Sequence, residues 1–365
     1  MKRATACAAA VLALAALLAG CATTGPGAGP SAPRADFPAV RFAVIADPHL
    51  FDAAASTPGP ALDRAIGSDI KLHAESVEIL AEAIAAIAAE HPDFLLVCGD
   101  LTRNGERAAH ELAASMLGAL DDAGVPVLVV PGNHDVRNPH AARFTGETVE
   151  AVASVEPADF AALYAGLGYA ESLERDPASL SYVAEPVQGL RVLALDACRY
   201  DGEAGSPRTD GRLSQPTRAW AARVLARARA DGVATIAFLH HAMVPHFTDM
   251  ERWLDPYLLD GHDAAARILA GAGVRLAFTG HGHAQDVVRG DTREGPVWDV
   301  ETGSLASWPN PWRLVEIGPE GSVRISSRRV TAIPSLGSTF ASYAEFRLTT
   351  GLWDAAIGML DRRGV

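Results

Sequence analysis

The chain has 365 residues, 49% hydrophobic and 21% charged, an ordinary balance for a folded protein with apolar material for one large domain or two small ones. Its formal net charge of -13 opposes non-specific attraction to polymeric nucleic acid or anionic lipid, so a polyanionic partner is not expected. The sequence carries no basic run, heptad seam or internal repeat.

Residues 1–21 have the organisation of a targeting segment: Lys2 and Arg3 make a basic start, and residues 8–19 form an apolar core too short for a permanent membrane span. Leu18-Ala19-Gly20-Cys21 resembles a bacterial lipobox, which implies cleavage, lipidation of Cys21 and anchoring at the periplasmic face of the cell envelope. Ala22, in place of Asp, points by the same resemblance to the outer membrane of a Gram-negative host. The rival reading is an ordinary secretory signal with an incidental cysteine. Residues 22–36, rich in Gly, Pro, Ala, Ser and Thr, lack apolar periodicity and read as a tether with an extended reach of roughly 50 Å. A domain over 37–330 and a C-terminal helical extension over 331–365, packed on it, complete the division.

The domain opens with a predicted strand at 40–46 that ends at Asp47-Pro48-His49. Apolar positions at helical spacing predict a helix over 71–89, with His73 on its surface. A strand at 94–98 delivers Gly99-Asp100, and a helix over 107–123 returns to the run Val127-Leu128-Val129-Val130. That run stops at Pro131-Gly132-Asn133-His134-Asp135, a buried strand closing in a tight polar turn. The βαβαβ order predicts parallel pairing. Residues 137–173 read as an irregular insertion with one short helix at 158–166. Strands at 180–187 and 190–197 form a hairpin that begins a second sheet, and Asp196 at its end reads as a structural cap rather than a metal ligand. A helix over 215–230 leads to a strand at 235–239 and then His240-His241. A helix over 263–272 leads to a strand before Gly280-His281-Gly282-His283. Late strands at 297–300, 312–317 and 322–330 are expected to close the second sheet, and a helix at 340–360 to pack on the domain. Cys98 and Cys198 read as two buried thiols rather than a disulfide.

Five polar clusters thus each follow an apolar strand, and open α/β sheets place their chemistry at such carboxyl ends. Asp, Asn and His offer hard oxygen and borderline imidazole donors, which suit Mn, Fe or Zn. The chain resembles the calcineurin-like metallophosphoesterases from about residue 40 to 325, with the motifs in the family's order. The resemblance implies an α/β four-layer sandwich of two mixed β-sheets flanked by helices, and two divalent metal ions. One metal takes Asp47, His49 and His283, the other Asn133, His240 and His281, with Asp100 bridging. Sequence alone leaves open which of His240 and His241 ligates; the family uses the first, and His241 then stands as a substrate contact. His134 is implied to face the leaving group, with Asp135 orienting its imidazole. Arg103 reads equally as a phosphate ligand or a solvated loop arginine. It stands where purple acid phosphatases carry a tyrosine, so a coloured ferric site is not expected.

Two divalent cations, two carboxylates and one bridging hydroxide sum to about plus one, a charge that attracts an anion. The expected function is hydrolysis of small phosphodiesters, cyclic nucleotides among them, by attack of that hydroxide. Trp253, Tyr257 and Trp308 are candidates to stack a nucleobase, or are ordinary packing residues. A phosphomonoesterase is the alternative enzyme, and its sign would be several cations around a dianion, of which Arg103 is the obvious one. A non-catalytic anchored binding lipoprotein would have lost ligands, yet all seven and His134 are present.

Overall fold

Strand β1 (Val40–Ile45) is buried along nearly its whole length, as a strand covered on both faces must be. A computed structural model of the chain describes residues 36–67, 69–200 and 208–361; the expected signal peptide, Cys21 and residues 22–35 of the tether lie outside them. Helix α1 (Pro60–Gly67) follows, then α2 (Ser76–Ala89), which buries Ile79, Leu80, Ala83 and Ile87 at helical spacing. Strand β2 (Phe94–Cys98), helix α3 (Arg107–Asp122) and strand β3 (Val127–Val130) complete a parallel βαβαβ unit. The hairpin β4 (Ala142–Thr145) and β5 (Thr148–Ala151), helix α4 (Pro157–Leu163) and the short β6 (Glu174–Arg175) lead into β7 (Tyr182–Val187) and β8 (Leu190–Leu195).

Helix α5 (Gln215–Ala230) begins at a Ser214 cap whose hydroxyl accepts from the Thr217 amide, and it returns the chain to β9 (Ala234–Leu239). A single turn, α6 (Met250–Trp253), and helix α7 (His262–Ala272) precede β10 (Leu276–Thr279). Strands β11 (Asp286–Thr292), β12 (Gly295–Glu301), β13 (Pro311–Ile317) and β14 (Val323–Arg329) follow, and α8 (Phe340–Asp361) comes last.

Five strands make one sheet in the order β14-β13-β1-β2-β3, and seven make the other, β11-β12-β10-β9-β8-β7-β6. Both are mixed: β13 runs antiparallel to β1, and β11 and β7 run antiparallel to β12 and β8. The inner faces meet in one core, where Phe42 stacks on Phe94 at 4.6 Å and meets the edge of Phe278 from the other sheet at 5.2 Å. Residues of α2 and α3 extend that core behind the first sheet, while α5 and α7 bury Trp220, Leu225 and Leu269 against the back of the second. The result is the expected four-layer sandwich.

Several expectations change. The two last strands, β13 and β14, join the first sheet rather than the second. Both flanks of β12 are already taken by β10 and β11, so the outgoing chain fills the open edge of β1 instead. The insertion contains the β4–β5 hairpin, and α1 and β11 were not expected. Helix α2 starts at Ser76, not at residue 71, which leaves His73 in the preceding turn, buried instead of on a helix surface.

Candidate metal centre

The parallel strands β1, β2, β3, β9 and β10 all end at this centre. Asp47 N donates to Gly99 O at 3.1 Å and His49 N to Asp100 O at 2.9 Å, so the turns after β1 and β2 run side by side. Asp47, His49, Asp100, His281 and His283 all have φ between 42° and 69°, left-handed values that a bulky side chain adopts only where the surroundings impose them. Gly132 has no room for a Cβ, which would run into the Asp100 amide nitrogen and Oδ1. The glycine is what lets the turn after β3 close onto the turn after β2.

Asp100 Oδ2 is the hub: His240 Nε2 lies 3.4 Å away, His49 Nε2 3.6 Å and His134 Nε2 4.0 Å. Its Oδ1 accepts a hydrogen bond from the His134 amide at 2.8 Å. On one side, Asp47 Oδ1 is 3.3 Å from His283 Nε2 and 3.9 Å from His49 Nε2, and these two imidazole nitrogens are 3.3 Å apart. On the other, Asn133 Oδ1 is 3.0 Å from His240 Nε2, and His281 completes a cluster with Asp100 and His240. Each ring on that side is oriented from behind: His240 Nδ1 donates to Cys98 O at 2.8 Å and His281 Nε2 to Pro256 O at 3.2 Å, leaving one nitrogen free to ligate.

His49, His281 and Asp100 are held in the protonation states that a cation takes, and His240 is the exception. Burial, helped by nearby Lys71, holds His49 well below its ordinary value, and burial with the rings of His241 and His240 does the same to His281. Burial opposes charge on Asp100, yet His240 and His134 keep it well below the carboxylate range. Burial likewise opposes charge on His240, but Asp100 lifts it to about 9, a proton that a metal would displace. Asp47 Oδ1 is buried without a hydrogen-bond partner while it faces two imidazoles. A divalent cation between these groups would supply the missing partner, so the residues fit a metal pair with Asp100 between the two sides.

The other expected residues fall out differently. His134 Nδ1 lies 2.6 Å from Arg103 O and 3.1 Å from the Asn104 amide oxygen position, which turns Nε2 toward Asp100. Asp135 does not orient that ring. Its buried carboxylate accepts from the amides of Leu101, Thr102 and Gly132 and from the Thr102 hydroxyl, tying the turn after β2 to the turn after β3. A side chain that must satisfy four donors from below the turn cannot also reach the imidazole of its neighbour. His241 is fully buried, with Nε2 donating to Thr209 O at 2.9 Å, so it offers no surface to substrate. Arg103 lies over the rings of Phe51 and Phe144 and 3.8 Å from Glu106. Tyr257 stacks on the His281 ring at 4.7 Å, whereas Trp253 lies beneath Arg252 and Trp308 packs on the core. Asp196 accepts from the Leu180 and Cys198 amides and the Tyr200 hydroxyl, a structural cap. Cys98 and Cys198 are both free thiols.

Sequence reasoning missed Lys71, Asp69 and His73. His73 bridges Asp69 Oδ2 at 3.0 Å and His49 O at 3.3 Å, and Lys71 Nζ lies 3.6 Å from the same Asp69 carboxylate. This brings a lysine within electrostatic reach of His49, and no short motif marks it because it comes from an irregular turn.

Fold and centre together define a metallophosphoesterase. A sequence model of the calcineurin-like phosphoesterases matches residues 40–285, and the chain belongs to that family. It is 27% identical over 198 residues to a protein of Rhodopseudomonas palustris named a probable cyclic nucleotide phosphodiesterase, an overlap of 54% of this chain and 59% of the relative's length. A Synechococcus protein of the same description is 27% identical over 239 residues, 64% of this chain and 75% of the relative. Among solved structures, a dimetal phosphatase from Danio rerio shares the fold at TM-score 0.53 and 16% identity, covering 80% of this chain and 97% of that one. A purple acid phosphatase from yellow lupin does so at TM-score 0.50 and 11% identity, covering 82% and 53%.

Proposed function

We propose that the protein is a phosphodiesterase that hydrolyses small diesters, cyclic nucleotides among them, with two divalent cations held by Asp47, His49, His283 and by Asn133, His240, His281, with Asp100 between. The observation that carries this reading is the convergence on Asp100 Oδ2 of imidazoles from both sheets, His49 at 3.6 Å and His240 at 3.4 Å. The names of the two bacterial relatives support the choice of diester. A cation pair held by these residues would supply Lewis-acid activation of water and of the phosphoryl oxygens. The protein's own part is to fix the donors in ligating tautomers and to present His134. Anchored through Nδ1–H on Arg103 O, that ring directs Nε2 at the centre; burial lowers its pKa while Asp100 raises it, so the ring first takes up a proton at Nε2 beside Asp100 and then gives that proton to the departing oxygen. The proposal extends to place: lipidated Cys21 would tether the domain at the envelope face, within reach of small diesters in the periplasm.

A phosphomonoesterase is the second reading, favoured by one feature: Lys71, paired with Asp69, adds a cation within electrostatic reach of His49 and His134. A hydrolysis panel on metal-supplemented protein separates them, comparing bis-p-nitrophenyl phosphate, p-nitrophenyl phosphate, and 2',3'- and 3',5'-cyclic nucleotides. The diester reading expects higher kcat/KM on the diesters; a preference for the monoester would replace it with the second.

A further inference from the structure

Behind the metal centre, the end of β12 carries two buried carboxylates that grip both histidine-bearing loops of the second sheet. Asp299 Oδ2 accepts from the amides of Met243 at 2.5 Å and Val244 at 3.0 Å, in the loop that follows His240. Its Oδ1 accepts from the Thr279 hydroxyl at 2.5 Å, at the end of β10 just before Gly280. Glu301 Oε1 accepts from Ala284 N at 3.2 Å, the residue after His283, and lies so close to Gly282 that a Cβ there would strike it. One strand end therefore fixes the spacing of the loop carrying His240 and the turn carrying His281 and His283.

Buried carboxylates this close together need positive charge, because an uncompensated buried ion is costly and a relaxed loop would let water in. Arg313 supplies part of it, although its Nη2 donates to the main-chain oxygens of Asp286 and Glu301 rather than to carboxylates. A second cation is His246, whose side chain is 1% exposed. Its Nδ1 is 3.1 Å from Asp286 Oδ2; its Nε2, which makes no hydrogen bond, is 3.5 Å from Glu301 Oε2 and 3.7 Å from Asp299 Oδ2. Burial opposes charge on this ring, but Asp286, Asp299 and Glu301 raise it to about 11. Burial also pushes Glu301 up to about 7, with His246 the largest influence holding its carboxyl ionised.

We propose that His246 is a positioning residue for the metal centre: as an imidazolium it neutralises Asp299 and Glu301, and so holds the loops carrying His240, His281 and His283 at ligating distance. The proposal rests on the reading of those histidines as metal ligands, but not on which ester is hydrolysed.

Calorimetric titration of the metal-stripped full chain with Mn2+, alongside the thermal midpoint, tests it on wild type, His246→Gln, and His246→Gln combined with Glu301→Gln. Loss of a group that supports metal ligands typically weakens affinity about ten- to a hundredfold, and that is the loss expected for His246→Gln. The double variant removes the charge that His246 neutralises, so it should recover most of the affinity; a merely space-filling role predicts no recovery. Wild-type affinity in His246→Gln, or a double variant as weak as the single, overturns the proposal. If His246→Gln does not fold, a folded, Mn2+-binding double variant supports the proposal and an unfolded one overturns it. Failure of wild type itself to bind Mn2+ would instead sink the metal-centre reading, and binding without diester hydrolysis would sink only the substrate.

Discussion

Asp100 Oδ2 and His240 Nε2 are 3.4 Å apart although their strands, β2 and β9, belong to different sheets. The centre is therefore a joint between two layers, and its geometry depends on how closely the turns at the strand ends approach each other.

Gly132 sets that approach in the first sheet. A Cβ at this position would collide with the Asp100 amide and Oδ1, so Gly132→Ala should displace the hub carboxylate. Forced overpacking typically costs about 1–3 kcal/mol. The expected result is a lower thermal midpoint together with reduced metal content. Gly118→Ala is the control: that glycine lies within α3 with open space around it, and the change should stabilise the chain by about 1 kcal/mol.

His134 should matter in proportion to the basicity of the leaving group. A p-nitrophenolate departs unprotonated whereas a ribose alkoxide does not, and general acid catalysis is worth roughly a hundred- to ten-thousandfold. His134→Ala is expected to depress hydrolysis of a cyclic nucleotide far more than that of bis-p-nitrophenyl phosphate, with metal content unchanged. Equal losses on both substrates would move His134 to phosphate binding. Asp135→Asn should behave differently, lowering the thermal midpoint, since its carboxylate serves four backbone and hydroxyl donors rather than the ring.

The turn containing Lys71 puts a cation within electrostatic reach of His49 and His134. Lys71→Met is expected to raise KM for a dianionic monoester several-fold more than KM for a monoanionic diester, with kcat less affected. A steady-state comparison on the two p-nitrophenyl esters decides it, and an equal effect on both would leave Lys71 as the partner of Asp69 alone.

Cys21→Ser tests the envelope anchor. Fractionation should find the variant in the soluble or unprocessed pool, while a fully processed variant retained in the membrane would contradict a lipidated anchor.

The candidate ligands were legible in the sequence because each lies directly after an apolar strand, and strand ends of parallel sheets converge. Residues whose role depends on tertiary approach were not. His73 has the spacing of a helix surface, yet the helix begins after it and the ring is buried against His49. Asp135 adjoins His134 in the chain but turns away from it to satisfy amides that only the folded turns bring together. His246, Asp299 and Glu301 carry no motif, since their relation is set by β12 pairing with β10. The placement of β13 and β14 depended on which sheet edge was left open, which local propensity does not encode.

If Asp100 serves both halves of the centre, elemental analysis of purified, metal-loaded protein should show it directly. Wild type is predicted to retain two metal ions per chain, and Asp100→Asn to lose metal from both sides together with hydrolysis, because an amide lacks the charge and the second anionic oxygen needed to span two cations. An Asp100→Asn protein that keeps two metals per chain and turns over normally would contradict the account.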